Sequence, residues 1–155
     1  MKIKLLAVGQ KMPRWVEEAF ADYQKRLPKD FALELIEIAP AQRAKNYSVA
    51  QVMQKEAQAI TAKLTGKEWL VALEVKGKAW STEQLAEAAE QWKYTGQDVA
   101  LIVGGPDGLD PELSAKADQK WSLSNLTLPH PLVRVLLAEQ LYRAWSIQVG
   151  HPYHK

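Results

Sequence analysis

Apolar residues along the chain alternate between two spacings, a run of strand length and then a stripe recurring every three to four positions. Lys2–Gly9 carries the run Leu5–Val8 and predicts a strand. Pro13 suits a first helical turn, and Val16, Ala19, Phe20, Tyr23 and Leu27 repeat at helical spacing up to Pro28. Phe31–Ala39 alternates and closes at Pro40, giving a second strand. Val49, Val52, Met53, Ile60 and Leu64 mark a helix from about Ser48, ended by Gly66. Trp69–Val75 reads as a third strand closing at Gly77. Ser81-Thr82-Glu83-Gln84 has the form of a capping box, with Leu85, Ala88, Ala89 and Trp92 as the buried stripe behind it and Gly96 as its stop. Val99–Val103 and Lys120–Ser124 are two further strands, with room for a short helix between them. The last helix runs from Pro131 to about Val149.

Strands separated by helix-length crossovers argue for an α/β fold: a mostly parallel sheet flanked by helices on both faces, in one domain spanning 1–155. No linker or repeat divides it. The last helix is apolar around nearly its whole circumference, interrupted by Arg134, Glu139, Gln140, Arg143, Ser146 and Gln148. One side can take the sheet. The other predicts a second copy of the chain, hence a homodimer with an isologous interface; a central core helix in a monomer is the alternative.

Composition removes several chemistries. The chain has no Cys, so it has no disulfides, thiolate nucleophiles or thiolate metal ligands. No G-x-G-x-x-G follows the first strand, and no Walker A motif or G-x-S-x-G elbow occurs anywhere. The three histidines, His130, His151 and His154, form no helical metal-binding pair, so no metal is expected. The apolar core of the N-terminus is too short for a signal peptide or a membrane span, so a cytoplasmic protein without membrane attachment is expected. Net charge is only +2, but residues 1–45 carry nine Lys/Arg against six Asp/Glu, while 46–155 carry eleven against twelve. A basic N-terminal third could face phosphates; a solvated surface of mixed charge is the simpler reading.

Candidate chemistry concentrates in Asp98–Pro131. A buried strand stops at Gly104-Gly105-Pro106-Asp107-Gly108, and a second ends in the loop Asn125–His130. Two strand-ends that each open into a loop form a crevice at the carboxyl edge of a parallel sheet, where such folds bind ligands. Ser124, Asn125 and Thr127 can hydrogen-bond a purine edge while Leu123, Leu126 and Leu128 cover its ring. Gly104 and Gly105 would let another part of the ligand approach the backbone. An ordinary pair of turns fits the same spacing. The tail, Gly150-His151-Pro152-Tyr153-His154-Lys155, packs two imidazoles, a phenol and an ammonium together. It follows directly from the helix assigned to the dimer seam, so it could reach the partner's crevice.

These residues resemble the SPOUT family, specifically its small bacterial methyltransferases acting on large-subunit ribosomal RNA. The resemblance lies in Val103–Gly108, in Trp121-Ser122-Leu123-Ser124 with Thr127–His130, in Glu139–Ala144 and in Gly150–Lys155. It implies a C-terminal trefoil knot, an obligate homodimer, S-adenosylmethionine as cofactor, and methylation of N3 of a pseudouridine in 23S rRNA on the assembled ribosome. By the same resemblance, the cofactor contacts fall on Leu73, Gly104, Leu123, Ser124, Asn125, Leu126, Thr127 and Leu128. Where the family often has Asp after the Leu ending the third strand, this chain has Glu74. Tyr153 and His154 are the candidate catalytic pair, and Arg143 and Lys155 the candidate phosphate ligands. Two rival readings stay open: a SPOUT methyltransferase acting on tRNA, and a catalytically silent, ribosome-associated binding protein.

Overall fold

Strands apolar on every residue must be covered on both sides, and that requirement organises the molecule. The computed structural model describes all residues from Met1 to Lys155. Five parallel strands form one sheet: β1 (Lys2–Val8), β2 (Ala32–Ile38), β3 (Trp69–Ala79), β4 (Val99–Val103) and β5 (Gln119–Ser122), in the order β2-β1-β4-β3-β5. Along β4, Val99, Leu101 and Val103 enter one apolar cluster while Ala100 and Ile102 enter the other. The first cluster is closed by α1 (Arg14–Gln24), α3 (Thr82–Tyr94) and α5 (His130–Val149), the second by α2 (Val49–Ala62) and α4 (Pro111–Ala115).

Local chemistry sets most boundaries. Ser81 Oγ accepts from the Gln84 amide while the Gln84 side chain accepts from the Ser81 amide, so the expected capping box forms. Ser48 and Gln51 make an identical box at the start of α2. Gly150 ends α5 in the left-handed conformation, φ 72°. The short helix after β4 is α4, capped by Asp110 with Pro111 in its first turn.

Two strands depart from expectation. β5 stops at Ser122, because Ser122 Oγ donates to the Ser124 carbonyl and Ser124 Oγ accepts from the Leu126 amide, which turns the chain. β3 does not close at Gly77. It bows out over 74–77 and returns, so that Leu73 and Lys78 both register with Trp121. A Cβ on Gly77 would lie 2.8 Å from the backbone of Lys120 and Trp121, so only glycine lets the two passes of chain touch.

Candidate functional site

The bowed segment of β3 and the loops after β4 and β5 leave a cavity of about 780 Å³ at the carboxyl edge of the sheet. Leu73, Gly104, Leu123, Ser124, Leu126, Thr127 and Leu128 line it, together with Glu74, Lys76, Lys120 and His130. Asn125 belongs to the same loop but is exposed and does not line the cavity. Leucines on one wall and charged groups on the other suit a ligand with an apolar ring and a zwitterionic end.

The glycine loop earns its residues differently from the expectation. Gly105 and Gly108 pair, the Gly108 amide donating to the Gly105 carbonyl at 2.9 Å around Pro106-Asp107, and Gly108 has φ +88°. The Cβ position of Gly104 is filled by the backbone of Gly108 and Leu109, at 2.5 to 2.7 Å. That of Gly105 is filled by the Glu56 carboxylate at 2.8 Å. The packing of the loop itself thus requires glycine at 104, and the Glu56 side chain of α2 lies against Gly105, while both glycines also line the cavity. Glu56 is 4% exposed, receives the Ala41 amide on Oε2, and leaves Oε1 unpartnered.

Polar groups fix the mouth of the cavity. Ser114 Oγ donates to Glu74 at 2.6 Å, tying α4 to the end of β3. The Arg134 side chain, 3% exposed, donates to Glu37 at 2.7 Å and to the Gly9 carbonyl at 2.8 Å, which anchors the start of α5 to the ends of β1 and β2. Burial holds the half-buried His130 imidazole below its ordinary value; the Gly105 backbone opposes that shift, Arg134 adds to it and Glu56 opposes it. Glu74 was noticed in the sequence only as a departure from the family's pattern. Arg134–Glu37 left no sequence signal at all, because its partners lie 97 positions apart.

The four tail candidates gather elsewhere. The α5 helix, 20 residues long, puts about 30 Å between its ends. Beyond it, Pro152–His154 forms one 3-10 turn capped by His151. The Tyr153 hydroxyl lies 3.3 Å from that of Tyr23 and donates to Glu139 at 3.1 Å. Arg143 donates to Glu139 at 2.8 Å and lies 5.0 Å over the Tyr153 ring. Burial, with Tyr23 and Glu139 beside it, raises the Tyr153 phenol well above its ordinary value, so it donates and does not serve as a base at neutral pH. His154 Nδ1 is buried without a partner, and Lys155 is exposed. Tyr153, His154, Arg143 and Lys155 thus form one cluster, at the opposite end of α5 from the cavity of the same chain.

No group of three or more His, Asp or Glu is placed to hold a metal ion, and no helix is long and apolar enough to cross a membrane.

Comparison with known proteins agrees with this geometry. Residues 1–154 match the family described as "Predicted SPOUT methyltransferase". The chain is 58% identical over 155 residues, covering 100% of both sequences, to "Ribosomal RNA large subunit methyltransferase H" of Chromohalobacter salexigens. It is 55% identical, again over 100% of both, to the protein of the same name from Marinomonas sp.. Among solved structures it shares its fold, at a TM-score of 0.56 and 16% identity, with "a probable methylase family protein" from Haemophilus influenzae, covering 99% of this chain and 70% of that one.

Proposed function

The chain belongs to the SPOUT methyltransferase family, and on that premise we propose that it methylates N3 of a pseudouridine in large-subunit ribosomal RNA, as a homodimer acting on the assembled ribosome. The observation carrying this reading is the carboxyl-edge cavity walled by Leu73, Gly104 and the Leu123–Leu128 loop, in a chain 58% identical to a protein named for that RNA subunit. S-adenosylmethionine, the proposed cofactor, supplies an electrophilic methyl group when bound. Leu123, Leu126 and Leu128 would cover its adenine, and Glu74, Lys76 and Lys120 its charged end. The chain's task is then to align N3 with that methyl and remove the N3 proton.

The tail residues can share in that task only across a dimer. Leu132 and Leu136 of α5 and Leu126 of the loop before it are 40%, 38% and 71% exposed, apolar surface near the crevice end of α5 that a second copy would cover. A twofold axis that sets two α5 helices antiparallel brings each tail to the other crevice. There His154, whose buried Nδ1 lacks a partner, is the proposed acceptor of the N3 proton. Tyr153 orients through its donated hydrogen bond, and Arg143 and Lys155 meet phosphate.

The test is calorimetric titration with S-adenosylmethionine on the native chain and on Thr127→Trp, which blocks the cavity from an exposed position. Saturable binding lost in the variant is expected, with radiolabelled methyl appearing in large-subunit RNA and not in tRNA. Equal binding by both proteins would move the cofactor out of this cavity. Transfer to tRNA alone would replace the substrate, and binding without any transfer would leave a silent binding protein.

A further inference from the structure

The cavity occupies the β3, β4 and β5 part of the carboxyl edge. The same edge continues past β1 and β2, and the two loops there have a charge pattern that the cavity does not use. Gly9–Pro13 contains Lys11 and no acid, and Ala39–Ser48 contains Arg43 and Lys45 and no acid. The loops are neighbours: β1 and β2 pair through Val8 and Ile38, and the Gly9 amide donates to the Ile38 carbonyl at 2.8 Å. Lys11 and Lys45 are exposed and make no ion pair. Arg43 reaches the cavity wall, where it pairs with Asp107 at 2.6 Å. Tyr47 lies in the same loop with the Lys55 ammonium 3.8 Å over its ring.

Exposed cations interleaved with an aromatic ring, two of them, Lys11 and Lys45, without a carboxylate partner, are the arrangement that binds a nucleic-acid backbone. Mixed charge elsewhere looks different; α1 pairs Arg14 with Glu18, and its Asp22 pairs with Arg26 just beyond the helix. We propose that the loops after β1 and β2 form a phosphate-binding rim, through Lys11, Arg43 and Lys45, that holds the RNA strand flanking the target nucleotide, with Tyr47 as a stacking surface. This deepens the reading of the function and rests on it. The Arg43–Asp107 pair joins the rim to the glycine loop, so a phosphate that draws Arg43 away also frees Asp107 on the cavity wall.

The test measures equilibrium binding of the full chain to purified large subunits and whole ribosomes over a range of salt, with methyl transfer followed separately. The variants are Lys11→Gln/Lys45→Gln and, as a control of equal charge at exposed positions elsewhere, Lys29→Gln/Lys63→Gln. Loss of two phosphate contacts should weaken binding about tenfold at moderate salt and flatten the plot of log affinity against log salt by about 1.5. In transfer assays the KM for the particle should rise with kcat retained, and S-adenosylmethionine affinity should stay within twofold of wild type. Binding by the rim variant equal to wild type, an unchanged salt slope, an equal loss in the control, or no ribosome binding by the wild type would each overturn the rim. If the wild type binds ribosomes, the rim variant does not, and no methyl is transferred, the rim stands while the methyltransferase reading falls.

Discussion

The two ends of α5 are held in opposite ways. At its start, Arg134 is tied to Glu37 and to the Gly9 carbonyl beneath a roof of sheet, and His130 sits half-buried against the glycine loop. At its finish, Tyr153, Glu139, Arg143 and Tyr23 hold one another near the surface, and the Tyr153 ring meets those of Tyr142 and Tyr23 edge to face at 4.5 and 6.4 Å. One end is a cavity with its walls built in. The other is a set of reactive groups folded back on themselves, outside the lining of that cavity. A motif dense in chemistry is therefore not yet a site. The walls of the crevice come from one chain, while the tail, on the proposed reading, acts only where another surface meets it.

The sharpest way to break this contrast is to separate the two ends genetically. Thr127→Trp blocks the crevice and His154→Ala disarms the tail, so each homodimer should be inactive. Co-expressed in equal amounts, they should recover about a quarter of wild-type transfer, since half of the dimers are mixed and each mixed dimer has one intact pair of ends. No recovery would mean that each chain uses its own tail. Next in size, Gly104→Ala drives a methyl into the Gly108 backbone and should cost about 2–3 kcal/mol in urea unfolding along with cofactor binding. Arg134→Met removes the anchor of the crevice end; because Glu37 is 40% exposed and can be rehydrated, the cost should be about 2 kcal/mol. Tyr153→Phe at the tail should cost less than about 1 kcal/mol in the same assay. A larger loss at the tail than at Arg134 would reverse the comparison.

The smallest effects have opposite pH signs. His130 has a lowered value in the fold, so its share of stability is complete above 6.5 and declines as pH falls below that. Tyr153 has a raised value, so its share is complete below 10.0 and is lost as pH rises further. Melting curves of His130→Gln and Tyr153→Phe should flatten the acid and the alkaline limb respectively.

Much of this was legible in the sequence because it is local. The five strands, the four long helices, the Ser81 box and the Gly150 stop follow from period, caps and turn residues within a few positions. Ser48-Val49-Ala50-Gln51 has the same form, although the apolar spacing there marked only the start of a helix. The Leu123–Leu128 loop was legible as a wall because an apolar and hydroxyl-bearing loop at a strand end has few other uses. What stayed hidden depends on distance along the chain. The Glu56 carboxylate filling the space beside Gly105, Tyr153 meeting Tyr23 and Arg134 finding Glu37 all join segments that period and propensity treat separately. The second demand on Gly104 was hidden for the same reason: besides lining the cavity, it has the Gly108 backbone where a Cβ would go.

The touch between Gly77 and Lys120–Trp121 also sets an order of events in time. The outer half of β3 has its partner in β5, more than forty positions later in the chain, so it must wait, unpaired, while β4 and α4 are made. Synthesis delivers α5 and the tail after β5. Refolding should accordingly be slow for a chain of this length, because loop closure precedes the contacts that reward it. A newly made copy has its Leu123–Leu128 wall seated only after that wait, so the protein becomes competent late in its own synthesis, and a chain stalled before β5 carries every upstream strand and no cavity.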